Sequence, residues 1–250
     1  MKKRSLLILS AGFFFLKTSS AAADQTSPAA STTTIKAWKD AGEFSIVSTN
    51  GNSRGTTTAA KNTFNYVHGR AALDLIGGAL GSSSGNQVTA EQYNAEEKVT
   101  WTLIDNNYVF EHVGWDKNRF AGIRDREDGS GGVGRLLMDL PKDKLTSELG
   151  AGYTDEERTD APHHNFVTGR VYAKYTHVLS ATANFSQDAE YLHDFGNPKD
   201  YRLNTETALI ASLTTHLSLK AAYTWKRTAE PPPGFGKDDT TTTVALVVNY

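Results

Sequence analysis

From Trp38 onwards the chain alternates apolar and polar residues with a period of two, the spacing of a strand with two unlike faces. The last third shows this most plainly. "VTGRVYAKYTH" (167–177) sets Val167, Val171, Ala173 and Tyr175 against Thr168, Arg170 and Lys174. "LSATANFSQDAEYL" (179–192) sets Leu179, Ala181, Ala183 and Phe185 against Ser180, Thr182, Asn184 and Ser186. "YRLNTETALIASL" (201–213) and "LSLKAAYTW" (217–225) repeat the pattern, and "TTTTVALVVNY" (240–250) carries Val244, Leu246, Val248 and Tyr250 in one row. Earlier strands are expected near 41–49, 56–67, 70–80, 88–103, 108–117, 123–138 and 145–154. That makes twelve, with ten as the alternative count. The stretch "AEQYNAEEKVTWTL" (90–103) fits either a helix or a strand, and the alternation favours a strand. The run 123–138 is the least strand-like, because its glycines weaken a strand and Asp125 to Asp128 read equally well as loop.

The connections fall into two kinds. "VHGR" (67–70), "IDNN" (104–107), "DLPKDK" (139–144), "HVLS" (177–180) and "TTH" (214–216) are short. "NGNSRG" (50–55), "GSSSGNQ" (81–87), "DEERTDAPHH" (155–164), "HDFGNPKD" (193–200) and "AEPPPGFGKDD" (229–239) are mostly longer and richer in Gly, Pro and charge. The turn near Arg119 breaks the rule. Short turns on one side and long loops on the other is the layout of an outer-membrane barrel. The expected fold is therefore all-β, a closed antiparallel transmembrane β-barrel over 38–250.

The N-terminal segment fits that compartment. Lys2, Lys3 and Arg4 precede an apolar run to Leu16, and Ala21 and Ala23 form an A-x-A cleavage pattern. Residues 1–23 read as a secretory signal peptide, and its apolar run falls short of the roughly 20 residues a spanning helix needs. Residues 24–37, rich in Ser, Thr, Ala and Pro, read as a flexible periplasmic leader. The signal segment removes four basic residues and no acid, so the mature chain is more acidic than the net −2 of the whole sequence. Nucleic-acid binding, which needs a basic stripe, is not expected. There is no cysteine, so no disulfide supports the fold.

Alternation alone does not say which row faces in. A membrane barrel turns its apolar row to lipid and its polar row to the lumen. The lumen-facing charged candidates are then Glu148, Arg170, Lys174, Asp188, Glu190, Arg202, Glu206, Lys220 and Lys226. The apolar row carries aromatics near strand ends, where amphipathic rings favour the headgroup zone. Tyr93, Tyr153, Tyr191, Tyr201 and Trp225 form one expected belt; Trp101, Tyr108, Tyr175 and Tyr250 form the other. An even strand count places both termini on the periplasmic side, and pairing of the first and last strands removes exposed edges.

The opening "WKDAGEFSIVSTNGNSRG" (38–55) resembles the start of the DUF481, YdiY-like family of salt-induced outer-membrane proteins. "GSGGVGRLLM" (129–138), "LTSELGAGYTDEE" (145–157) and "PPGFGKDDTTTTVALVVNY" (232–250) extend the likeness over nearly the whole mature chain. The resemblance implies an outer-membrane barrel of a Gram-negative bacterium and carries over no catalytic residue. The final row, Val244, Leu246, Val248 and Tyr250, also resembles the terminal assembly signal that the barrel-assembly machinery recognises.

Candidate chemistry is sparse. His68, His112, His163, His164, His177, His193 and His216 are present, and none stands beside a G-x-S-x-G nucleophile elbow. No catalytic residue, cofactor site or metal site is assigned. "ERTDAPHHN" (157–165) is the best metal candidate, through Asp160, His163 and His164, but adjacent histidines on a strand point to opposite faces, and a solvated loop is the preferred reading. No long inward-folding loop is evident. The expected function is non-enzymatic: a narrow small-solute or ion pathway, or an envelope protein of salt or acid stress. The alternatives are an outer-membrane hydrolase of the phospholipase kind and a purely structural barrel. The expected partners are outer-membrane lipid and lipopolysaccharide, with the oligomeric state left open.

Overall fold

The computed structural model describes residues 37–49, 55–84, 87–159 and 162–250. The expected signal peptide (1–23), most of the leader (24–36) and Asp160 lie outside the described residues. Twelve strands follow one another: β1 (Trp38–Thr49), β2 (Gly55–His68), β3 (Ala71–Ser84), β4 (Gln87–Thr102), β5 (Asn107–Asn118), β6 (Ile123–Asp139), β7 (Asp143–Arg158), β8 (His164–Val178), β9 (Ala183–Asp194), β10 (Tyr201–Ser212), β11 (Leu217–Thr228) and β12 (Asp238–Asn249). Each pairs antiparallel with its sequence neighbours, and β1 meets β12 to close a barrel.

Closure satisfies the backbone without a helix, since every interior strand finds partners on both sides. Between β2 and β3 the ladder runs unbroken from Gly55↔Ser84 to His68↔Ala71. The closing seam is much shorter. Among the described residues β1 and β12 pair only from Ala41↔Asn249 to Phe44↔Leu246, and the Tyr250 amide donates to the Asp40 carbonyl at 2.9 Å.

Several strands run further than the alternation suggested. The 123–138 run is strand throughout, as β6. The expected loop 155–164 shrinks, because Asp155 pairs with Asn165 and Glu156 with His164. Residues 179–182, expected to open a strand, instead form the turn into β9, with the Leu179 and Ser180 amides both donating to the Ala183 carbonyl. The irregular turn near Arg119 is a 3₁₀ turn, Arg119–Ala121, capped by the Asn118 side chain and ended by Gly122 at φ 78°.

The two faces of the wall differ in kind. Leu149, Val133 and Val244 stand outward, each more than half exposed. Glu148, Glu156 and Arg170 stand inward, at 2%, 0% and 5% exposure. A water-soluble fold buries its apolar residues and exposes its charges; here the polarity is reversed. The short connections and the described ends, Trp38 and Tyr250, lie at one rim, called the turn end here. The longer connections lie at the opposite rim, the loop end.

Candidate functional site

The inner row is held by ion pairs that skip strands, which only bonds through the interior can do. Glu148 on β7 takes Lys98 from β4, Arg170 from β8 at 2.8 Å, and the Tyr108 hydroxyl from β5 at 2.8 Å. Arg170 also donates to Glu190 on β9 at 2.7 Å. Nearer the loop end, Glu156 on β7 gathers three arginines: Arg126 from β6, Arg158 from β7 itself, and Arg202 from β10. Glu156 is fully buried, so these partners replace water around its charge. On the opposite wall Lys220 bridges Glu43 of β1 at 3.1 Å and Glu206 of β10 at 3.0 Å.

Glycines make room for the first cluster. Tyr108 and Phe110 on β5 face Gly134 and Gly132 of β6. A Cβ on Gly134 would overlap the Tyr108 ring, and one on Gly150 would stand 2.9 Å from Phe110 Cζ and 2.8 Å from the Gly131 carbonyl oxygen. Both distances are too short for a real side chain, so the wall is thin where rings lie against it. The flattened rings then receive cations: Arg170 stands 5.2 Å from the Phe110 centroid, and Lys98 stands 5.6 Å from it.

The loop-end mouth is crossed by the connection 229–237. It leaves β11 with the Ala229 amide donating to the Tyr201 carbonyl at 2.9 Å. It then reaches the 3₁₀ turn between β5 and β6, which stands halfway round the ring. There Pro232 is buried, and a Cβ on Gly122 would lie 2.8 Å from the Phe235 ring and 3.0 Å from Pro232. Asn197 fastens the cap from the neighbouring loop by donating to Glu230 at 2.6 Å. A cavity lies beneath, reached by Arg126, Arg202, His112, Asp128, Lys226 and Pro232. This inward-folding loop was not evident in the sequence. Its prolines read as ordinary turn punctuation, and the surface that receives it comes from a distant turn.

The nine charged candidates all lie on the inner row. Glu148, Arg170, Arg202 and Lys220 are buried, Asp188, Glu190, Glu206 and Lys226 are half-buried, and Lys174 is exposed towards the turn end. The structure joins Glu148 with Arg170 and Glu190, and Glu206 with Lys220; Asp188, Lys174 and Lys226 stand outside these ion pairs. Of the expected belts, Tyr93, Tyr153, Tyr191, Tyr201 and Trp225 stand outward near the loop end, and Trp101, Tyr175 and Tyr250 outward at the turn end. Tyr191 and Tyr201 stack at 5.7 Å, and the Trp225 indole donates to Asp238 at 2.9 Å. Tyr108 is a correction. It faces inward because its row continues Phe110 and His112, and the Gly134 gap opposite admits its ring. Val244, Leu246 and Val248 share the outward row of β12.

Reading the sequence missed Lys98, Arg126, Glu156, Arg158 and Phe110 as interior groups. Extending the Glu148 row in steps of two through Thr154 to Glu156 and Arg158 would have found the central acid. His164, Asp194 and Asp200 meet near the loop end: His164 Nε2 lies 3.2 Å from Asp194 Oδ2 and 3.8 Å from Asp200 Oδ2. Burial pushes the Asp200 carboxyl above its ordinary range despite nearby Arg202 and Arg158. His163 points away, pairing with Asp155 at 2.8 Å.

An uncharacterized protein of Escherichia coli K12, YdiY, is 29% identical over 182 residues, covering 73% of this chain and 71% of that one. Among solved structures, an outer-membrane channel of Pseudomonas putida F1 covers 85% of this chain and 95% of its own at 8% identity and a TM-score of 0.49. The translocator domain of the autotransporter NalP from Neisseria meningitidis covers 88% and 90% at 15% identity and a TM-score of 0.46. The family described as "Protein of unknown function, DUF481" matches residues 42–250, from the closing seam through the glycine-backed wall and the capping loop to the last strand, and the chain belongs to that family.

Proposed function

We propose that the protein is a non-enzymatic outer-membrane β-barrel of a Gram-negative bacterium, and that it provides a narrow path for small solutes or ions which the 229–237 loop caps. The observation that carries this is the reversed polarity of the wall. Large apolar side chains such as Leu149 (62% exposed) cover the outside, with tyrosine and tryptophan at both rims, which suits lipid. Charges line the inside, which suits water. Twelve strands enclose less space than the 16–18 of open porins, and the ion pairs of Glu148 and Glu156 occupy much of it. A small, hydrated, weakly selective path fits that residual space. The cap would stand on the outer surface, above the cavity it closes.

Planar-bilayer recording of the purified barrel tests the reading. Discrete conductance steps are expected, and removal of Pro231–Gly236 should make them larger, because the cap is the constriction. Silence over many insertions of both forms would defeat the pathway. It would favour the second reading, a sealed structural barrel that rests against lipopolysaccharide, which the ion-paired interior also supports. A barrel that stays monomeric in water without detergent would defeat the membrane reading itself.

A further inference from the structure

We propose that His164, Asp194 and Asp200 form a binding site for a divalent transition-metal ion of the zinc or manganese kind. One donor atom from each lies within 4.8 Å of the other two. Donors sharing an ion at bonds of about 2.0–2.2 Å stand roughly 3.0–3.5 Å apart. His164 Nε2 is 3.2 Å from Asp194 Oδ2 and 3.8 Å from Asp200 Oδ2, and the two carboxylates, within 4.8 Å of each other, would close in to share one centre.

The second observation is an unsatisfied carboxylate. Asp200 is 3% exposed, and its Oδ1 is buried with no hydrogen-bond donor. Its Oδ2 has only the long approaches of His164 and of Arg158 Nη2 at 3.5 Å, and that nitrogen also lacks a hydrogen bond. A buried carboxylate oxygen left without a donor is costly, and an ion held by both oxygens of Asp200 would offset that cost. The nearby arginines make their closer contacts with Glu156, and Arg158 reaches Asp200 only through Nη2, at 3.5 Å from Oδ2.

The frame around the donors is fixed. Asp194 Oδ1 accepts the Gly196 amide at 2.6 Å, which orients Oδ2 towards His164. The Asp194 amide donates to the Asp200 carbonyl at 3.1 Å, and the Asp200 amide to the Asn197 carbonyl at 2.9 Å. The His164 ring rests against Phe166 at 4.7 Å. Such supporting contacts hold ligands in place before the metal arrives. One imidazole with two carboxylates suits zinc or manganese, whereas calcium takes six to eight oxygens. The His164 side chain is 31% exposed, which leaves a route from solvent. The bound ion would tie β8 to the 195–200 loop, whose Asn197 holds the cap.

The test is a zinc titration of the full chain, folded in detergent micelles, against a chromophoric zinc indicator in excess magnesium. One saturable site per chain is expected. His164→Ala and Asp200→Asn should each weaken it about tenfold or more, while His163→Ala, one residue away, should leave it intact. Heat-modifiable migration checks that each variant is folded, and Asp194→Asn replaces any that is not. Cobalt in place of zinc should give ligand-field absorption bands that His164→Ala abolishes. The proposal is overturned by an absence of saturable binding, by equal loss in His163→Ala, or by folded variants that bind like the parent.

Discussion

The wall from β4 to β10 and the wall from β11 through β12 and β1 to β2 share one alternation, yet their inner rows differ. The first carries Lys98, Tyr108, Phe110, Arg126, Glu148, Glu156, Arg170 and Arg202, large groups locked to one another across several strands. The second carries mainly small residues, among them Ala222, Ala245 and Ser45, with Lys220 held between two acids and with Lys61 and Lys226 on the same row. The same pleat thus builds one wall of long, cross-linked groups and one of small residues, and the cavity under the cap is lined chiefly from the first, by His112, Arg126, Asp128 and Arg202.

Two substitution pairs and one single substitution probe that contrast, from the largest expected effect to the smallest. Glu156→Gln leaves three arginines around a neutral amide and should cost about 3–5 kcal/mol in urea unfolding from lipid vesicles. Glu43→Gln should cost about 1 kcal/mol, because Lys220 keeps Glu206. Equal losses would break the comparison. Next, Gly150→Ala drives a methyl towards Phe110 and should cost about 1–3 kcal/mol. Gly129→Ala, which meets nothing within 4 Å, should change stability by less than about 0.5 kcal/mol. The smallest effect belongs to the outer row. Trp225→Phe removes the indole bond to Asp238 and should cost about 0.5–1 kcal/mol, detectable as a small shift in the same unfolding curve.

Period-two alternation made most of the barrel legible, because each strand separates two environments and every second residue reports one of them. It failed where that separation weakens. Glycine has no side chain to report a face, so 123–138 looked the least strand-like run, although Gly134 in it, with Gly150 on β7, is what admits Tyr108 and Phe110. Tyr108 was placed among lipid-facing aromatics by its position near a strand end, while the row it shares with Phe110 turns it inward. Glu156 was hidden in an apparently charged loop, since one strand does not reveal three arginines arriving from β6, β7 and β10. His163, just before β8, pairs with Asp155, while His164 opens the strand and meets Asp194. The partners of His164, however, lie some thirty residues on, at Asp194 and Asp200, where no local spacing announces them.

The short seam has a consequence for how the barrel forms and opens. Its four pairs, Ala41↔Asn249 to Phe44↔Leu246, join the most distant parts of the strand order. Closing so long a loop is entropically expensive and is rewarded by few hydrogen bonds. The seam should therefore zip last in assembly and exchange its amide hydrogens first in the native state. In mechanical terms the molecule is a rolled ribbon clasped at one rim. Towards the other rim no pair joins β1 to β12 among the described residues, and β12 there offers Thr240 and Thr242 outward instead of leucine and valine.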